Sequence, residues 1–154
     1  MPTETHKTSN KDVIKTLHGV IRSLIDGHEG FQKIGEHLKD DSLKKYFFAE
    51  SLKRSQFRGE IEALLHSTGD HDPKESGSVS GALHRTWGDI KAHLGGGDHA
   101  LLETAEQGED AAKKAYGEAL QKDLPVPVKE LLTTQHEHIQ KSHDYVKAAR
   151  DRGR

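Results

Sequence analysis

The sequence predicts an all-α protein built on four long amphipathic helices. Three observations carry that expectation. Apolar residues recur at alternating intervals of three and four over four long stretches. Glycine, proline and small polar residues gather at 68–78 and at 95–97, between the second and third of those stretches. The composition, 32% hydrophobic and 31% charged, suits helices that need apolar residues only along one stripe and leave the other face to Lys, Glu and Asp.

The first stripe runs through Ile14, Leu17, Ile21, Leu24, His28, Phe31, Gly35 and Leu38, predicting a helix over about 10–39. Ser9 and Asp12 are spaced as a capping pair at its start. The Lys39-Asp40-Asp41-Ser42 cluster can end it and cap its successor. The second stripe, Leu43, Phe47, Glu50, Arg54, Phe57, Ile61 and Leu64, predicts a helix over about 41–67, and two of its members are charged. So short a turn makes the pair an antiparallel hairpin.

Residues 68–78 are a loop by composition, and Leu83, Trp87, Ile90 and Leu94 place a short helix at about 79–94, with Trp87 as its anchor. Gly95, Gly96 and Gly97 stop that helix, and Asp98 is placed to cap the next. The third stripe, Leu102, Ala105, Glu109, Ala112, Tyr116 and Ala119, predicts a helix over about 98–122 with a small-residue face. The fourth, over about 127–151, opens on Pro125 or Pro127 and follows Val128, Leu132, Gln135, Ile139, Ser142, Val146 and Ala149. A chain of 154 residues is enough for one such domain, expected at 10–151 behind a flexible tail at 1–9. The stretch from Thr68 to Asp98 is long enough to traverse the helices end to end. That length allows a ferritin-like four-helix bundle with a crossover helix between its second and third long helices, and an up-down-up-down bundle is the competing topology.

Charge and composition exclude several partners. Lys and Arg number 23 against 25 Asp and Glu, a formal charge of -2, which gives no electrostatic footprint for nucleic acid or an anionic membrane. No apolar run is long enough to span a bilayer. The start of the chain lacks the features of a signal peptide, so a cytoplasmic location is expected. Without cysteine there is no disulfide, thiolate metal site or redox thiol. No P-loop or nucleophile elbow is present.

Several strings occur together: Asp26-Gly27-His28-Glu29-Gly30-Phe31, Lys53-Arg54-Ser55-Gln56-Phe57, Gly81-Ala82-Leu83-His84-Arg85-Thr86-Trp87, the run from Gly108 to Tyr116, and His143-Asp144. Together they resemble an uncharacterised bacterial family described as ferritin-like four-helix-bundle proteins of unknown function. The resemblance covers Val13 to Arg150, and Gly108 to Tyr116 is its most specific part. It implies the ferritin-like crossover and a loose association with bacterial stress responses, and it implies no established reaction.

Di-metal carboxylate bundles place a Glu on each of two helices and Glu-x-x-His on each of the other two. Glu29 on the first helix and Glu106 or Glu109 on the third lie at the right level. Where the paired motifs are needed, the sequence has Lys53-x-x-Gln56 and Gln140-x-x-His143, and a protonated lysine repels a divalent cation. Two readings follow. In one, Glu50 and Arg54, four apart on one stripe, form with Glu109 and His28 a buried polar layer in a non-catalytic protein that acts by association. Such a protein is expected to be a homodimer or other homo-oligomer, or to bind an unidentified protein partner, with Tyr46, Phe48 and Leu65 as exposed contacts. In the other, Glu29, Glu50, Glu109 and His143 hold iron, manganese or zinc at mid-bundle. Most of the 12 histidines, among them His66, His71, His84, His93 and His99, read as surface or loop residues, and His136 and His143 as solvated.

Overall fold

The computed structural model describes residues 10–67 and 97–152. Those residues form four helices and no strand: α1 (Asn10–His37), α2 (Asp41–Ser67), α3 (Asp98–Leu120) and α4 (Val126–Arg152). The expected tail at 1–9 and the expected helix at 79–94, with Trp87, lie outside the described residues. α1 and α3 each end two residues earlier than the periodicity predicts, and α4 starts one residue earlier, with Pro127 in its first turn.

α1 packs against α2 and α3, α4 against α3 and α2, so the four close a ring of neighbours. Two apolar clusters fill the space inside. One joins the first half of α1 and the second half of α2 to Tyr116, Ala119, Leu132 and Ile139. The other joins Phe31, Ile34 and Leu38 to Phe47, Leu101, Ala105 and Val146. These groupings fix the helix directions: α1 runs with α4, and α2 and α3 run together the opposite way. α2 therefore finishes at Ser67 beside the cluster containing Leu65, whereas α3 begins at the other end of the molecule.

Asp98 shows that placement directly. Its carboxylate accepts the backbone N–H of Lys39 at 2.8 Å and of Asp40 at 3.0 Å, tying the start of α3 to the α1–α2 turn. The sequence casts Asp98 as the cap of its own helix, but no side chain caps α3, which instead enters through Gly97 at φ 87°, a backbone state that favours glycine. Asp40 does cap α2, its Oδ1 accepting the Leu43 N–H at 2.9 Å.

α1 buries a wider strip than one stripe predicts. Val20, Ile25 and Ile34 join Leu17, Ile21, Leu24 and Phe31 inside, because α1 has a packed neighbour on two sides. Gly35 lets α2 come close: a Cβ there would lie 2.9 Å from Cε1 of Phe48 and 3.3 Å from Cβ of Phe47.

Candidate functional site

Between the two apolar clusters, each of α2, α3 and α4 changes from apolar to polar at the same level. On α2 this falls at Glu50, Ser51 and Arg54 between Phe47 and Phe57. On α3 it is Glu109 between Ala105 and Ala112, and on α4 Ser142 between Ile139 and Val146. All five side chains are buried.

Arg54 is the centre of this layer and is 1% exposed. Its Nη2 donates to Glu109 Oε2 at 3.1 Å and its Nη1 lies 2.8 Å from Oε1, an ion pair with one hydrogen bond within it. Glu50 Oε2 stands 3.8 Å from Nη2. The guanidinium carbon sits 4.8 Å from the centre of the Phe31 ring, and Gly27 makes room for it, since a Cβ there would come within 3.3 Å of Nη1. Burial is the largest single influence and disfavours the charge, but the charge and hydrogen bond of Glu109 together with Glu50 outweigh it, and Arg54's pKa rises above the ordinary arginine value.

The two carboxylates have further partners. Ser142 donates to Glu109 Oε2, and His138 Nε2 is 2.6 Å from Glu50 Oε1. Burial pushes the pKa of Tyr46 up, the neighbouring Ser142 hydroxyl opposes that, and the Glu50 and Glu109 carboxylates add to it. His28 stands at the edge, its Nδ1 2.9 Å from the Ser51 carbonyl, while Ser51 Oγ donates to the His28 carbonyl at 2.8 Å. About two helical turns away along α3 and α4, Gln135 accepts the Tyr116 hydroxyl at 2.7 Å and donates to the Phe57 carbonyl and Glu60.

Of the four residues assigned to a mid-bundle metal, only Glu50 and Glu109 meet at this level. Glu29 is exposed, because it lies one residue, about 100° of helix rotation, from the inward-leaning His28. His143 is inside, 7% exposed, contrary to the expectation of a solvated side chain, yet it faces the outer seam between α3 and α4 and not Arg54. The donor set at the layer does not suit a metal: the place between the carboxylates is taken by a guanidinium, which cannot lose its proton or coordinate. Sequence reasoning did not find the contact of His138 with Glu50. His138 lies beside Ile139, off the inward stripe, and only its reach brings it to α2.

The α3–α4 seam holds the other cluster of ionisable groups. Glu106 and Asp110 are four apart on α3, and His143 approaches from α4. His143 Nε2 is 2.9 Å from Asp110 Oδ1 and 3.6 Å from Glu106 Oε2. Its Nδ1 is 3.1 Å from Asp144 Oδ1, and that hydrogen bond is the main cause of Asp144's lowered pKa. Arg150 bonds the other oxygen of Glu106.

The sequence model of a domain of unknown function (DUF2383) matches residues 12–122. The chain belongs to the DUF2383 family. The matched span of DUF2383 takes in α1, α2 and α3, and so includes Glu50, Arg54, Glu106, Glu109 and Asp110. His138, Ser142 and His143, on α4, lie beyond it. No curated protein matches the chain.

Proposed function

We propose that this DUF2383 protein acts by association, as a non-catalytic helical scaffold whose partner is a second copy of itself. The observation that carries this reading is the double-sided character of α2. Its inner face contributes Phe47, Phe57, Ile61 and Leu65, while Leu52 (60% exposed) stands on its outside one turn from Phe48 (37% exposed), whose ring rests by one edge on Gly35 of α1. Apolar side chains adjacent on an outward helix face stay in water unless another surface covers them. Of the contacts expected from sequence, Phe48 is on this face. Tyr46 is half-buried and stacked on Tyr145 at 3.8 Å, and Leu65 is in the core.

The interior polar layer favours association over chemistry, since both of its carboxylates are engaged by Arg54. In connectivity we read the chain as ferritin-like. Support comes from α2 ending and α3 beginning at opposite ends of the molecule, which a single lengthwise crossover satisfies and an up-down-up-down order does not. Sedimentation equilibrium over a wide concentration range tests the association. The expected result is a dimer that Leu52→Lys converts to monomer with unchanged helicity. A parent protein that stays monomeric at millimolar concentration would overturn the reading.

A further inference from the structure

We propose that the α3–α4 seam is a divalent transition-metal site, with His143 Nε2, Glu106 and Asp110 as protein ligands and Zn(II) as the foremost ion. It is separate from the Arg54 layer and does not depend on the association reading.

The three side chains offer ligand atoms that all lie within 4.8 Å of one another. Ligands at about 2.0–2.1 Å around one zinc ion stand roughly 3.3–3.4 Å apart, so small side-chain rotations close the set. Two carboxylates one helical turn apart point the same way, and the imidazole comes from the neighbouring helix, giving a three-sided donor set. Asp110 is on the solvent side and 59% exposed, which leaves water free to complete the coordination.

Two further contacts orient the ligands as metal sites require. A metal-bound histidine usually presents one ring nitrogen to the ion and donates its other N–H to a carboxylate or carbonyl, which fixes the tautomer. Here Nδ1 lies 3.1 Å from Asp144 Oδ1, which also accepts from Gln140 at 3.0 Å, so with an ion on Nε2 the Nδ1–H would have a carboxylate to donate to, while Nε2 is turned toward the two α3 carboxylates. Glu106 is steadied in the same manner, one oxygen bonded to Arg150 and the other turned toward His143. One imidazole with two carboxylates suits zinc better than magnesium or calcium, which favour all-oxygen sets, or copper(I), which favours sulfur.

The competing account is a simple ion pair between a protonated His143 and its acidic neighbours. Calorimetric titration of the metal-stripped full-length protein with zinc chloride separates the two. The expected result is one saturable equivalent. It should be lost in His143→Ala, weakened in Asp110→Asn, and weakened about tenfold or more in Asp144→Asn, whose side chain touches no metal. His138→Ala should leave it intact. Asp110 and Asp144 are largely exposed, so their variants fold even if His143→Ala does not. Nitrogen-15 NMR should show zinc displacing the His143 Nε2 resonance. Absence of zinc binding by the parent, or binding that Asp110→Asn and His143→Ala leave unchanged, overturns the proposal.

Discussion

Tyr116 shows how a single polar group is accommodated in this interior. Its ring is fully buried and its hydroxyl has one acceptor, Gln135 Oε1, at 2.7 Å. Ionising it would place a negative charge in an apolar cluster and remove the donated hydrogen bond, so burial pushes its pKa up, only partly offset by Arg54. In the unfolded chain a tyrosine releases its proton near pH 10. A group whose folded pKa is raised stabilises fully below its unfolded value, and that stability is lost as pH rises toward the folded value. From about pH 10 upward, Tyr116 should therefore cost stability at about 1.4 kcal/mol per pH unit. Urea unfolding at intervals from pH 8 to 11 reads this slope. Tyr116→Phe should flatten it by that amount, while lowering stability at pH 8 by about 1–3 kcal/mol through the unpaired Gln135 oxygen. Equal slopes in the two proteins would refute the account. Residues of this kind are the least legible in sequence. Gln135 and Tyr116 fall on predicted stripes, but nothing in their spacing says that they meet. Glu29 and His143 fail for the converse reason, since one position of helix rotation decides between water and interior.

At the scale of the helix the sequence is far more readable. Every member predicted for the stripes of α3 and α4 is buried. The prediction is too narrow for α1 and α3, each packed on two neighbours, where Val20, Ile25 and Ile34 on α1 and Leu101, Thr104 and Gly108 on α3 are buried besides. Glycine separates the two causes of helix stability. Gly59 and Gly117 lie within α2 and α3 with no atom within 4 Å of an added Cβ, so they carry only the entropic penalty of glycine in a helix. Replacing either with Ala should stabilise by about 0.5–1 kcal/mol, or roughly 2–4 °C per kcal/mol in melting temperature. Gly35→Ala gains the same propensity but meets Phe48 and the backbone-anchored Cβ of Phe47, and overpacking of that sort costs about 1–3 kcal/mol. Its melting temperature should fall. A rise equal to that of Gly59→Ala would mean that α1 and α2 are free to separate at this crossing.

Across the whole molecule, the polar layer divides one interior into two apolar clusters, and its energetics differ from those of either. Bringing Arg54, Glu50 and Glu109 out of water costs several kcal/mol per ion, which their mutual attraction repays only when all partners are present. Arg54→Ala should therefore destabilise by about 3–5 kcal/mol, because it leaves Glu109 charged and buried without its cation. Removing the layer entirely, with Glu50→Leu, Arg54→Met, Glu109→Leu and Ser142→Ala together, should leave stability equal to the parent's or about 1–4 kcal/mol higher. The layer would then act in specificity. Charged and hydroxyl groups from three helices that must meet at one level penalise any slip of one helix along another, whereas Leu and Ala stripes tolerate it. The apolar variant is accordingly expected to melt as high as the parent, yet to give broadened amide NMR spectra from helices that exchange between registers. If it unfolds in less urea than Arg54→Ala, the ion layer is a net source of stability and desolvation has been overestimated. If it is stable and its spectrum is as sharp as the parent's, the two apolar clusters alone define how the four helices align.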